Sequence, residues 1–230
     1  MKKLGILGGM GPLCTAIFYQ KLVKNTKANK DQDHIPTVII SDPQIPDRTK
    51  TILSGDGKED LLEKIKKDLE ILESQGVDNI AIPCNTIHYY YDIFKQYTKI
   101  NIINMVEETL LYCQQEGVKN IAILCTLATM NCGIYEKYAK KFGINVISLN
   151  ENLKAFTMDT IYKIKQTNQT SNYEFLEMVE DLEKTKVDAV ILACTELSLI
   201  DNITDYDFVI DAMDILACKS IVQSGFELKI

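Results

Sequence analysis

Two cysteines occupy matching positions in a repeated sequence unit. The first copy of the unit runs from Val77 to Thr86, and the second runs from Val187 to Glu196. Each copy begins with Val-Asp, continues through an apolar tract, and reaches a cysteine, Cys84 or Cys194, seven residues after the valine. A thiolate is both a base and a nucleophile, so a duplicated thiol indicates acid–base or nucleophilic chemistry.

The apolar tracts predict where these two cysteines lie in the fold. A tract that does not alternate with polar residues is typical of a buried parallel strand. The polar residue that follows each cysteine is typical of a helix start. We therefore expect each cysteine where a strand ends and a helix begins, which is the edge of a parallel sheet at which ligands bind.

Two facing thiols can invert a stereocentre without a cofactor. A free thiol has a pKa of about 8.5, and a helix N-terminus stabilises the thiolate. One cysteine, as thiolate, would remove a proton from one face of a carbon, while the other returns a proton to the opposite face. A disulfide or redox pair is the competing interpretation, which the lack of a C-x-x-C motif weakens. We interpret the remaining cysteines as packing residues without a duplicated strand end: Cys14, Cys113, Cys125, Cys132 and Cys218.

The composition excludes several classes of function. The 230 residues are 46% hydrophobic and 25% charged, with a net charge of −7, which is ordinary for a globular protein and argues against nucleic-acid binding. No apolar run approaches the roughly 20 residues of a membrane span, and the N-terminus lacks the apolar region of a signal peptide. We therefore expect a cytoplasmic protein with free thiols. With only His34 and His88 as histidines, a His-rich metal site is not expected.

Arg48 is the single arginine of a lysine-rich chain, which suggests that its fork-shaped guanidinium is needed. It lies in a stretch, residues 42–57, that contains two prolines and two glycines and is predicted to be irregular. The glycines of residues 8–12 predict a tight turn that can approach a ligand closely. Their spacing matches neither a dinucleotide-binding fingerprint nor a phosphate-binding P-loop.

Strands and helices are predicted to alternate along the chain, which favours an α/β fold with parallel sheets. The second half repeats the pattern of the first, so we expect two similar lobes with an active site in the cleft between them. The expected N-terminal lobe contains Cys84 and spans residues 1–99 plus about 207–230. The expected C-terminal lobe contains Cys194 and spans residues 100–206. Among the predicted helices are residues 13–27, 59–74 and 130–142.

Five motifs together make the chain similar to the aspartate/glutamate racemase family, whose members work without pyridoxal phosphate. The motifs are Leu7–Pro12, Pro43–Thr49, Pro83–His88, Ile134–Lys137 and Ala193–Glu196. The resemblance covers nearly the whole chain. It implies two α/β domains related by pseudo-twofold symmetry in a homodimer, with a small-molecule substrate and with no cofactor or metal.

The resemblance also implies roles for individual residues. Cys84 and Cys194 would be the acid–base catalysts, and Arg48 would bind a substrate carboxylate. A second carboxylate would be bound by Lys165, with Lys163 as the open alternative. The remaining residues expected to contact the substrate are Met10, Asn85, Thr86, Thr129 and Thr195. Glu196 is interpreted only as a helix-start residue, and His88 either orders the site or packs in the core.

The predicted reaction is the interconversion of L- and D-aspartate. A racemase for glutamate or for a broader set of amino acids is the alternative within the enzymes, because the sequence does not reveal the length of the pocket. The alternative outside the enzymes is a binding protein for an acidic amino acid. Exchange of the substrate's Cα proton separates a racemase from a binding protein.

Overall fold

The computed structural model describes residues 1–229 and contains two four-stranded parallel sheets. The first sheet has the strand order β2-β1-β3-β4, and the second has the order β6-β5-β7-β8. The strands are β1 (Leu4–Gly8), β2 (Thr37–Ser41), β3 (Asn79–Ala81), β4 (Asn101–Ile103), β5 (Asn120–Cys125), β6 (Asn145–Val146), β7 (Ala189–Ala193) and β8 (Val209–Asp211).

Ten α-helices connect and cover the strands. They are α1 (Pro12–Asn25), α2 (Arg48–Ser54), α3 (Lys58–Ser74), α4 (Tyr91–Tyr97), α5 (Met105–Gln115), α6 (Leu127–Asn131), α7 (Ile134–Phe142), α8 (Glu151–Thr167), α9 (Tyr173–Glu183) and α10 (Ala212–Gln223). Within residues 1–229, none of these helices combines the length and the apolar character needed to span a bilayer.

Helices cover both faces of each sheet, which explains why the inner strands are continuously apolar. All residues of β1 and β7 are buried. On the first sheet, α3 covers one face with Leu61 and Ile65, while α1 and α10 cover the other with Phe18 and Leu216. The second sheet is covered in the same way by α8 and α9 on one face and by α5 and α7 on the other.

The two sheets have the same internal register. Leu4 of β1 pairs with Asn79 of β3, and Ile121 of β5 pairs with Ala189 of β7. Strand β1 therefore corresponds to β5 and β3 to β7, as the repeated sequence unit predicts. The predicted fold class, two similar α/β units with parallel sheets, is confirmed.

Two short strands lie on the other side of the predicted domain boundaries. Strand β4, which begins at Asn101, belongs to the first sheet, although residues 100–206 were assigned to the C-terminal lobe. Strand β8, which begins at Val209, belongs to the second sheet, because Val209 pairs with Val190. Helix α10 follows and packs on the first sheet. The boundaries themselves stay a prediction.

The structure corrects two predictions of local structure. The stretch predicted to be irregular, residues 42–57, contains helix α2, whose N-terminus is capped by the Asp47 side chain accepting a hydrogen bond from the Lys50 amide at 2.8 Å. The predicted helix over residues 130–142 is two helices, because Gly133 adopts a positive φ of 63° between α6 and α7. Side-chain capping and a glycine break are both weak signals in a single sequence.

Gly9 sits at a close approach between the first turn and the chain after β2. Its φ is +91°, and a Cβ atom placed on it would lie 2.3 Å from the carbonyl carbon of Asp42. Gly55 has a similar φ of +82°, but a Cβ there would meet no atom within 4 Å. Both positions therefore require a positive φ, which favours glycine, but only at Gly9 would a side chain also collide with the backbone.

We expect Gly9→Ala to lower the free energy of unfolding by about 3 kcal/mol, because strain at positive φ adds to a backbone collision. Gly55→Ala should cost only about 1 kcal/mol, because the substitution introduces strain at positive φ but no backbone collision. Urea denaturation followed by circular dichroism measures both values. Equal losses in the two variants would show that the contact with Asp42 relaxes without cost.

Candidate active site

Cys84 lies just beyond the end of β3, in a tight turn of the backbone. Its amide donates to the carbonyl of Ile82 at 2.7 Å, and a 3-10 helix, Thr86–Tyr90, follows before α4 begins. The predicted helix start is thus a 3-10 segment, which runs directly into α4 at Tyr91.

His88 fixes the backbone of this turn. Its Nδ1 lies 2.8 Å from the Cys84 carbonyl oxygen, while its Nε2 accepts from the Met105 amide at 3.2 Å. With Nε2 as the acceptor, Nδ1 carries the proton and donates to Cys84. Burial lowers the pKa of His88, so the ring stays neutral. His88 therefore orders the turn from within the core and does not face the cavity.

Asn85 presents an unpaired amide donor beside Cys84. Its Oδ1 accepts from the hydroxyl of Tyr135 on α7 at 2.6 Å, which fixes the orientation of the amide. Its Nδ2 is buried and has no hydrogen-bond partner among the described residues. Because an unpaired buried donor is costly, a donor held in this way points to an acceptor supplied by a ligand.

Three threonine hydroxyls form a closed triangle across the two lobes. The Oγ1 atom of Thr86 lies 3.1 Å from that of Thr126 and 3.0 Å from that of Thr129. The Thr126 and Thr129 hydroxyls are 3.1 Å apart. All three residues are buried, so the triangle ties the Cys84 turn of the first lobe to the end of β5 in the second.

Cys194 stands at the corresponding end of β7, and its surroundings are charged. Its Sγ donates to Oε2 of Glu196 at 2.9 Å, and Oε1 of Glu196 pairs with Nζ of Lys165. The Glu196 side chain is 4% exposed. Burial and the Glu196 carboxylate raise the pKa of Cys194 well above its ordinary value, although Lys165 opposes this rise.

Lys165 remains a cation in this environment. Burial by itself would lower the pKa of Lys165, but Glu196 and the cysteines nearby raise that pKa above its ordinary value. Lys163, the open alternative, lies outside the residues that line the cavity described below, whereas Lys165 is one of them. The geometry therefore favours Lys165 as the lysine at the site.

Arg48 is the first residue of α2, and its guanidinium is held by the backbone. Nη1 donates to the carbonyl oxygens of Ile45 and Pro46, both at 3.1 Å. Among the described residues, no hydrogen bond engages Nε or Nη2. These two nitrogens form an edge of the guanidinium that matches a carboxylate in a bidentate pair.

These side chains converge on one small cavity of about 20 Å³ between the two lobes. The residues that line it are Met10, Asp47, Arg48, Thr49, Cys84, Asn85, Thr86, Thr126, Tyr162, Lys165, Cys194, Thr195 and Glu196. Nearly all of the predicted site residues are among them. Thr129 is the exception: it lies behind the cavity wall, where its hydroxyl bonds to Thr86.

The site is closed in this structure. A cavity of this size has room for about one water molecule, which is several times smaller than an amino acid. A second, outer cavity of about 440 Å³ lies next to it and shares Asp47, Arg48, Lys165 and Glu196 as lining residues. These four charged residues therefore lie where the outer cavity meets the inner one.

Sequence reasoning missed several residues of the site. Glu196 was interpreted only as a helix-start residue, yet it contacts both Cys194 and Lys165. Thr126 follows β5 directly, so its place after a parallel strand could have indicated it. Cys14, interpreted as a packing residue, is buried next to the site and faces Thr195 and Glu196. The cavity residues without a prediction are Asp47, Thr49, Thr126, Tyr162 and Glu196.

Comparison with known proteins identifies the family. The model of the Asp/Glu/Hydantoin racemase family matches residues 7–219. The chain belongs to this family. The prediction made from the five motifs is thereby confirmed, and so is the broader prediction of an amino-acid racemase.

Individual relatives support the assignment. An aspartate racemase of Picrophilus torridus is 34% identical in sequence with a TM-score of 0.85, and the match covers 100% of this chain and 96% of that one. A glutamate racemase of Francisella tularensis has the same fold, with a TM-score of 0.69 at 20% identity over 96% of this chain and 80% of its own.

A sequence relative that is named for a broader substrate specificity matches part of the chain. A broad-specificity amino-acid racemase of Bacillus subtilis is 35% identical over 109 residues. That match covers 46% of this chain and 46% of the relative, so it spans about half the length of each protein.

We expect Tyr135→Phe to lower the free energy of unfolding by about 1–3 kcal/mol, because it leaves the buried Oδ1 of Asn85 without its donor. Tyr173→Phe is the matched control, since Tyr173 is 76% exposed. Urea denaturation measures both variants. A loss in Tyr135→Phe no larger than in the control would mean that the Asn85 amide finds another partner.

Proposed function

We propose that the protein interconverts L- and D-aspartate without a cofactor, using Cys84 and Cys194 as the two acid–base groups. The observation that carries this proposal is the convergence of both cysteines on one closed cavity together with Arg48 and Lys165. A thiol on each side serves a proton transfer at a tetrahedral carbon, and two cations match the two carboxylates of the substrate.

In the proposed reaction, one cysteine acts as thiolate and removes the proton from Cα. The electron pair left on the carbon is delocalised into the adjacent α-carboxylate. The other cysteine, as thiol, then delivers its own proton to the opposite face of Cα. The product is the other enantiomer, and the two cysteines have exchanged protonation states. The reverse reaction starts from the exchanged state.

Groups around the cavity can stabilise the charge that develops on the α-carboxylate. The unpaired Nδ2 of Asn85 is a fixed donor in a site with almost no water. The free edge of Arg48 offers a bidentate partner for one carboxylate. Such donors stabilise a developing negative charge more strongly in a closed site than in water, because they are already oriented when the charge appears.

Lys165 decides between aspartate and the broader alternative. If its ammonium binds the side-chain carboxylate, the site selects acidic substrates. The pair that Lys165 forms with Glu196 favours the second candidate, a broad-specificity racemase, because Glu196 offsets one of the two positive charges. The relative from Bacillus subtilis is named as a broad-specificity amino-acid racemase.

We expect Cys84→Ser and Cys194→Ser each to lower the rate of racemisation by at least about 10³-fold, because a serine hydroxyl is a far weaker acid than a thiol. Chiral chromatography of the products from L- and D-aspartate measures this rate. Cys218→Ser is the matched control, since Cys218 lies on α10 away from the cavity.

Deuterium uptake at Cα in heavy water accompanies the same measurement and separates an enzyme from a binding protein. The intact protein should introduce deuterium into aspartate, whereas a protein that only binds the amino acid introduces none. Near-normal turnover by either serine variant would disprove the two-thiol mechanism.

For Lys165→Met we expect kcat/KM for aspartate to fall by about 10- to 10²-fold, because the loss of a charge-assisted hydrogen bond costs about 1.5–3 kcal/mol. The kcat/KM value for alanine, which has no side-chain carboxylate, should fall much less. Parallel kinetics with both amino acids make this comparison. Equal losses for the two substrates would show that Lys165 acts through Glu196 and Cys194 rather than by binding the side-chain carboxylate.

The homodimer and the cytoplasmic location remain predictions that accompany this proposal. The resemblance to the family supports the first, and the second is the expectation stated in the sequence analysis. Sedimentation velocity of the purified protein tests the assembly, and fractionation of the cells that express it tests the location.

A further inference from the structure

The two halves of the site have matching backbones but different chemistry. Thr86 and Glu196 occupy the same place in the repeat, two residues after Cys84 and Cys194. Each approaches the turn that follows the first strand of the opposite lobe. Thr86 bonds to Thr126 after β5, and Glu196 lies over the turn after β1, where a Cβ on Gly11 would be 3.5 Å from Oε1 of Glu196.

The consequence is a different electrostatic environment for each thiol. On the side of Cys84, the residue two positions on is a neutral threonine whose hydroxyl is taken up in the triangle with Thr126 and Thr129. On the side of Cys194, a carboxylate oxygen of Glu196 lies 2.9 Å from the sulfur. A carboxylate at that distance accepts a hydrogen bond from a thiol and repels a thiolate.

We propose that Glu196 makes the two thiols unequal: Cys194 holds its proton more firmly than Cys84, so that Cys194 starts the reaction as the acid and Cys84 as the base. This proposal rests on the proposed function, because it assigns the starting protonation state of the same two-thiol reaction. Glu196 acts here through Cys194 and is a positioning residue.

Other titratable groups also lie near Cys194. Lys165 opposes the effect, but its ammonium is bound to Glu196 rather than to the sulfur. The thiol of Cys14, on α1, lies nearby, but burial raises its pKa, so it stays neutral and adds no charge beside Cys194. Burial acts in the same direction as Glu196, and together they raise the pKa of Cys194. The remaining titratable groups that line the cavity are Asp47, Arg48, Cys84 and Tyr162.

The inequality lets the kcat values of the two directions depend on pH differently, whereas kcat/KM stays equal for the two enantiomers because their equilibrium constant is 1. The enantiomer whose Cα proton faces Cys84 reacts with the form in which Cys84 is the thiolate and Cys194 is the thiol. Its conversion moves one proton from Cα to Cys84 and another from Cys194 to Cα. The enzyme then returns to its starting form when Cys84 releases a proton to solvent and Cys194 regains one, so that no net proton is consumed. The opposite enantiomer requires the form with the thiolate on Cys194.

The ultraviolet absorbance of thiolates, followed against pH, tests the assignment without substrate. Subtracting the titration of Cys84→Ser or of Cys194→Ser from that of the intact protein isolates the contribution of each thiol. We expect the Cys84 contribution to appear at lower pH than the Cys194 contribution.

Glu196→Gln, made alone and combined with each serine substitution, tests the cause. The amide keeps the shape and removes the charge, so the Cys194 titration should shift to lower pH while that of Cys84 moves less. Glu63→Gln, on the exposed face of α3, is the matched control and should shift neither. In racemisation assays at saturating substrate, the pH profiles of kcat for the two directions should become more alike in Glu196→Gln only.

Three results would overturn the proposal: a Cys194 thiol that ionises before Cys84, a Cys194 titration that Glu196→Gln leaves unchanged, or an equal shift in the Glu63→Gln control. None of these depends on turnover. If the thiols titrate as expected and no amino acid is racemised, the proposed function fails while the inequality of the thiols stands.

Discussion

The site depends on one constraint, the alignment of strand ends in parallel sheets. Strand β3 pairs with β1 in the first sheet and β7 pairs with β5 in the second, in the same register. Parallel pairing brings all the carboxyl ends to one edge of a sheet. The residues that follow β3 and β7 are Cys84 and Cys194, and both line the cleft between the lobes. Buried apolar strands, covered by helices on both faces, hold that edge in place.

The sequence predicted those parts of the molecule that depend on repetition and apolar pattern. The duplicated Val-Asp units located β3 and β7, and the helical spacing of Leu61, Ile65 and Leu69 located α3. Side-chain capping was less visible, so α2 was missed. Its Asp47 cap is a contact between one side chain and one amide, which leaves no periodic trace in the sequence.

The candidate site was predictable to the extent that its residues lie in the repeat or in family motifs. Eight predicted residues line the cavity, whereas the bonds that orient them were not predictable. The hydroxyl of Tyr135 reaches Asn85 from another lobe, 50 residues away in the chain, and the triangle of Thr86, Thr126 and Thr129 also joins the lobes. Such contacts depend on how the lobes face each other, and a single sequence does not encode that arrangement in any local pattern.

Repetition of the backbone fixes where the two sulfurs stand, but the residue two positions later decides how each behaves. After Cys84 that residue is Thr86, whose neutral hydroxyl bonds to other hydroxyls and needs no cation as a partner. After Cys194 it is Glu196, whose carboxylate needs a cation, and Lys165 supplies it at the border between the inner and the outer cavity. The ion pair that offsets the charge of Glu196 therefore also lines both the inner and the outer cavity. A substrate carboxylate that binds Lys165 must compete with Glu196 for it, so substrate entry and the environment of Cys194 are linked through one side chain.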